Sequence, residues 1–194
     1  MILHVAPVFN DIFLAERIQI LKTENNYKRP DSLQRRIDAI GAIEGETASP
    51  GLSVAIVIGR WHQQVVDGLL QGALEALQEN GIGDESVDIV YVPGAFEIPL
   101  AVKKLADNGR YRALVTLGAV IRGGTPHFEY VAGECVRGMA DVSLEYDLPV
   151  AFGVLTVDTE QQAFDRAAAG PDNKGREAVL AVLEMAGLMT KLSC

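Results

Sequence analysis

From Leu52 onward the chain alternates short runs of β-branched and apolar residues with longer segments of helical period. That alternation constrains it to a parallel sheet with helices on both faces, a three-layer αβα sandwich. Four runs read as strands, at 53–59, 87–92, 113–121 and 150–156. Each is nearly continuous in apolar residues, which predicts strands buried on both faces. Between the first two runs, Val65, Val66, Leu69, Leu70, Ala73, Leu74 and Leu77 recur at helical spacing, which predicts a helix over 63–78 with one wide apolar face. A second helix is expected after Gly94-Ala95-Phe96-Glu97-Ile98-Pro99, because a first helical turn tolerates the missing N–H of Pro99. A third is expected over about 126–145 and a last over 174–188. Thr159 and Gln162 have capping-box spacing for a short helix ending near 168.

Residues 1–50 lack this rhythm. They mix charges of both signs, carry a helical pattern near 11–22 and reach the first strand through Ser49-Pro50-Gly51. They read as a partly disordered N-terminal extension, with residues 51–194 forming the globular domain.

A chain of 194 residues with 48% apolar content supports one sizeable core. The net charge of -9 argues against a nucleic-acid or anionic-membrane partner, so an anionic substrate must be held by a few local cations. The two cysteines, Cys135 and Cys194, form neither a disulfide framework nor a metal-ligand spacing, and a reducing, cytoplasmic setting fits best. The apolar opening from Met1 to Phe9 lacks the basic start and cleavage site of a signal peptide. No stretch approaches the roughly 20 apolar residues of a membrane span.

In open parallel sheets, ligands lie beyond the carboxyl ends of the strands. Those ends carry Arg60-Trp61-His62, Pro93-Gly94-Ala95-Phe96-Glu97, Arg122-Gly123-Gly124-Thr125-Pro126-His127 and Phe152-Gly153-Val154-Leu155-Thr156. The third turn is the most informative. Two glycines permit close backbone approach, Thr125 is placed to cap and Pro126 suits a first helical position, so a positive helix end is expected to face the crevice as an anion site. His127 beside that anion suits proton transfer near neutral pH. Arg166 and Lys174 are candidates for the concentrated positive charge. Trp61 offers an aromatic platform, or else a core residue. Glu97 offers a carboxylate for a polar ligand, or else a helix-start charge. Arg122 reads as a structural or interface cation. The glycines match neither a phosphate-loop nor a dinucleotide fingerprint, so no nucleotide cofactor is expected. His62, Glu97 and His127 lack the tight spacing of a metal triad, and no metal is expected.

Taken in order, Arg60-Trp61, Gly94-Ala95-Phe96-Glu97-Ile98-Pro99, the stretch from Gly118 to Phe128, Phe152-Gly153-Val154-Leu155-Thr156 and Asn173-Lys174-Gly175-Arg176-Glu177-Ala178 resemble the lumazine synthase family across residues 53–188. The resemblance implies a flavodoxin-like four-stranded sheet. It also implies a cofactor-free condensation of 5-amino-6-(D-ribitylamino)uracil with 3,4-dihydroxy-2-butanone 4-phosphate to 6,7-dimethyl-8-ribityllumazine. By position, Trp61 would stack on the pyrimidine, while Ala95, Phe96 and Glu97 would hold its ribityl arm. Ala119, Val120 and Ile121 would meet the ring through backbone groups. Gly124, Thr125 and Arg166 would bind phosphate, and His127 would be the general acid and base. Phe152, Arg166 and Lys174 would come from a neighbouring subunit, which implies a homo-oligomer built on pentamers, either free or closed into an icosahedral shell.

The chain departs from the family pattern at His62, at Pro126 and in the loop Gly170-Pro171-Asp172. Two other readings compete. A non-catalytic flavin or lumazine carrier would use the Trp61 platform but needs no proton donor beside a phosphate site. A flavodoxin-like signalling or electron-transfer module fits the βα rhythm but leaves Gly-Gly-Thr-Pro-His unexplained.

Overall fold

The computed structural model describes residues 28–47 and 51–193, in two compact units that divide between Ala42 and Ile43. In the first unit the described residues form one helix, α1 (Asp31–Ile40). It begins after Pro30 and stops at Gly41, whose φ of 81° lets its N–H bond back to Ile37 O. The sequence pattern predicts no helix at these positions. The helix expected near 11–22 falls outside the described residues.

The second unit is built on four parallel strands, β1 (Val54–Gly59), β2 (Val87–Val92), β3 (Ala113–Ile121) and β4 (Val150–Val157), in the order β2-β1-β3-β4. Helices α2 (Gln63–Glu79), α3 (Ile98–Asp107), α4 (His127–Tyr146), α5 (Glu160–Ala167) and α6 (Lys174–Leu192) follow in turn. Successive side chains of a strand face opposite ways. Thus Val54, Ile56 and Ile58 of β1 pack with α2, α5 and α6, whereas Ala55 and Val57 pack with α3 and α4. The result is the three-layer αβα sandwich of a flavodoxin-like fold.

Burial on both faces holds for β1, which is buried throughout, and for most of β3. It does not hold for the outer strands. Ile89 and Tyr91 of β2 and Phe152 of β4 are 41%, 49% and 48% exposed. Both strands lie at sheet edges, where the helix layers do not fully cover their faces.

Two caps fix the helices around β4. Thr159 Oγ1 accepts from Gln162 N at 3.2 Å, while Gln162 Oε1 returns a bond to the N–H of Asp158 rather than to Thr159 itself. Asn173 is buried and caps α6, its Oδ1 accepting from Gly175 N and Arg176 N at 2.9 and 3.1 Å. Its Nδ2 donates to the carbonyls of Gly68, Ala167 and Ala168, which ties α2 and the end of α5 to the start of α6. At the other end of α6, Lys191 Nζ donates to Glu44 O at 2.9 Å and to the Glu46 carboxylate at 2.8 Å, which fastens the approach to the sheet.

Candidate active site

The site follows from unequal strand lengths. Strand β3 pairs with β1 only as far as Ile58↔Leu117, then runs on through Gly118, Ala119, Val120 and Ile121 with β4 as its one partner. The backbone of this overhang is therefore unladdered on the β1 side. It lines a cleft of about 530 Å³, a volume suited to a small organic ligand.

Trp61, His62, Gly94, Ala95, Phe96, Glu97, Ala119, Val120, Ile121, His127, Tyr130 and Val131 line this cleft. Trp61 stands just past the end of β1 and is 70% exposed, so most of its indole is open to a ligand. His62 follows in the left-handed region, at φ 60° and ψ 50°, a conformation uncommon for a non-glycine residue, and α2 begins directly after it. Ala95 to Glu97 form one 3-10 turn that leads into α3. Here Ala95 is buried while Phe96 and Glu97 reach outward.

His127 is the first residue of α4, with Pro126 immediately before it at φ -65°. No side-chain hydrogen bond caps this helix start, so the expected Thr125 cap does not form. Gly123, Gly124 and Thr125 are exposed in the connecting loop and do not line the cleft. Arg122 closes the base of the loop. Its Nε donates to Asp158 Oδ1 at 2.7 Å, its Nη1 bonds Glu129, and its guanidinium lies 4.2 Å from the centre of the Phe128 ring. The Arg122 hydrogen bond holds the Glu129 carboxyl below the usual carboxylate range. One cation thus joins the ends of β3 and β4 to the first turn of α4.

The other expected residues lie elsewhere. Phe152, Arg166 and Lys174 line a separate groove of about 560 Å³ along β4, shared with Ala178, Val182 and Met185 of α6. Arg166 Nη1 donates to Gln162 O at 3.0 Å within its own helix, which leaves further guanidinium N–H groups for a ligand. Lys174 Nζ is held by both carboxylate oxygens of Glu177, at 2.6 and 2.7 Å. An anion at Lys174 has to compete with that partner.

Four cleft residues are not among the expected substrate-binding residues, one of them His62, which the sequence marks only as a strand-end histidine without metal-triad spacing. Tyr130 and Val131 follow His127 by three and four positions, the spacing that puts helical side chains on one face, so that signal was present. Gly94 was visible only as part of its motif. Among the described residues, no group of three or more His, Cys, Asp or Glu side chains is placed to hold a metal ion. Nor is any described helix long and apolar enough to cross a membrane.

A sequence-family model described as 6,7-dimethyl-8-ribityllumazine synthase matches residues 51–190.

Proposed function

The chain belongs to the 6,7-dimethyl-8-ribityllumazine synthase family, transferases of riboflavin biosynthesis, and on that footing we propose that it condenses 5-amino-6-(D-ribitylamino)uracil with 3,4-dihydroxy-2-butanone 4-phosphate. The products are 6,7-dimethyl-8-ribityllumazine, phosphate and water. The observation that carries this reading is the overhang of β3 within one cleft that also holds Trp61, Glu97 and His127.

A pyrimidine presents an alternating edge of donors and acceptors around a flat π face. The N–H and C=O groups of Ala119 and Ile121, which point to the unladdered β1 side, match such an edge, while Trp61 stacks on the face. Glu97 and the backbone of Ala95 and Phe96 receive the hydroxyl-rich ribityl arm. The phosphate of the second substrate sits at the uncapped start of α4 beside Gly124 and Thr125, where N–H groups and helix dipole favour an anion.

The chemistry then needs little beyond proton transfer. The 5-amino group attacks the ketone and water leaves to give an imine. Loss of a proton from carbon expels phosphate. The ribitylamino nitrogen closes the ring on the remaining carbonyl, and a second water departs. His127, at the mouth of the phosphate site, accepts and returns protons in these steps. Holding two substrates against each other supplies the rest of the acceleration.

The family works as oligomers on small-molecule substrates. We place Phe152, Arg166 and Lys174 in the active site of a neighbouring subunit, in an assembly built on pentamers and able to close into a shell. Two features support this: these residues share a groove that has no residue in common with the cleft, and both sheet edges carry exposed apolar side chains. A cytoplasmic setting belongs to the same reading, supported by the free thiol of Cys135.

The test is a turnover assay with both substrates. Lumazine forms faster than in a protein-free blank, in proportion to enzyme. A progress curve no steeper than the blank at every enzyme concentration overturns the reading.

A further inference from the structure

We propose that Gly94 is a positioning residue for substrate recognition: the absence of a side chain there seats the Trp61 indole and the Glu97 carboxylate. This rests on the assignment of Trp61 and Glu97 to the pyrimidine and its ribityl arm. A Cβ at position 94 would stand 2.8 Å from Trp61 Cδ1, 3.1 Å from its Nε1 and 3.3 Å from Glu97 Oε2. Two groups from different elements therefore use the same vacant volume. Trp61 leads out of β1, and Glu97 closes the 3-10 turn after β2.

The vacant Cβ position of Gly94 faces Trp61 and Glu97. Behind it lies Gly59, the last residue of β1, where an added Cβ would come within 3.2 Å of Gly94 C. A methyl at 94 points into the cleft, against the ring. The indole is the part free to move, being 70% exposed and unsupported on its outer side. Gly94 has φ -155° and ψ -172°, an extended conformation open to alanine. Gly94→Ala thus introduces no backbone strain and changes only the contact with Trp61 and Glu97. The chain is expected to fold and to present its platform at a different angle.

Trp61 is the only tryptophan of the protein, so its fluorescence reports on this seat directly. In the full-length protein, Gly94→Ala is compared with Trp61→Ala and the unaltered chain, using acrylamide quenching of Trp61 and KM for each substrate. The expected result is stronger quenching in Gly94→Ala, with KM for the aminouracil raised about tenfold and KM for the sugar phosphate changed less than about twofold. Unchanged quenching and unchanged KM in Gly94→Ala, beside a raised aminouracil KM in Trp61→Ala, overturn the seat alone. An unchanged aminouracil KM in Trp61→Ala overturns the platform assignment and the seat with it.

Discussion

The side chain of Asn173 occupies the space that the missing Cβ of Gly72 leaves in the middle of α2. A Cβ built on Gly72 would lie 2.2 Å from Asn173 Oδ1 and 2.9 Å from its Nδ2. That amide makes bonds to three carbonyls and two N–H groups in three helices, and it is 1% exposed. A glycine that weakens α2 locally thereby permits the polar junction that joins α2, α5 and α6.

Gly72→Ala is accordingly expected to destabilise the protein, although alanine is the better helix former by about 1 kcal/mol. Displacing the amide leaves buried carbonyls and N–H groups unsatisfied, a net cost of about 2–4 kcal/mol. Thermal unfolding should show Tm lowered by roughly 5–15 °C. A Tm equal to or above that of the unaltered chain contradicts the role given to the junction.

His127→Asn keeps a polar side chain of similar reach at the start of α4 and removes the proposed proton shuttle. It should lower kcat roughly hundredfold or more while both KM values change little. Residual turnover above the blank is expected from substrate orientation. A kcat close to that of the unaltered enzyme removes His127 from the chemistry.

Arg166→Ala tests the assignment of the sugar phosphate to the guanidinium on α5. KM for 3,4-dihydroxy-2-butanone 4-phosphate should rise by about tenfold or more, with the aminouracil KM nearly unchanged. Equal effects on the two substrates refute phosphate recognition. Mixing the impaired Arg166→Ala and Trp61→Ala subunits should restore part of the lost activity where one subunit completes the cleft of the next, and no restoration would place both groups in one subunit's site.

Cys135 predicts a loss of stability at high pH. The thiol is 1% exposed on the inner face of α4, and burial pushes its pKa from 9.0 up to about 11. A raised folded-state value favours the protonated form. Its stabilising contribution is therefore complete below the unfolded pKa and is lost as pH climbs from 9.0 towards about 11. Denaturant midpoints measured across that window should fall less steeply for Cys135→Ala than for the unaltered chain. Parallel slopes would show that other groups control the alkaline limit.

Much of this fold was legible because β-branched runs and helical periodicity report local structure directly. Strand β2 has the expected bounds, set off by Gly83 before it and Pro93-Gly94 after it. What the runs do not encode is the neighbour of each strand. Val87 to Val92 reads like a buried strand, yet Ile89 and Tyr91 face outward because β2 ends the sheet. Helix α1 escaped notice because its residues are mostly charged or polar and its apolar positions too few to set a period. In the site, the strand-end rule brought Trp61, Glu97, Ala119 and His127 together, since it depends only on strand direction. The separation of Arg166 and Lys174 from that group depends on three-dimensional placement around β4, which no spacing in the chain records. The junction at Asn173 did leave a signal, an Asn directly before a helical run, but its link to Gly72 spans distant parts of the chain.

The length difference between β3 and β1 also governs how the chain tolerates genetic change. A main-chain edge is indifferent to which side chains occupy 118–121, so a substitution that fits the fold leaves the edge in place. Adding or deleting one residue between Ala113 and Ile121 shifts the ladder and turns every later side chain to the opposite face. The stretch is thus buffered against point mutation and brittle to changes of length.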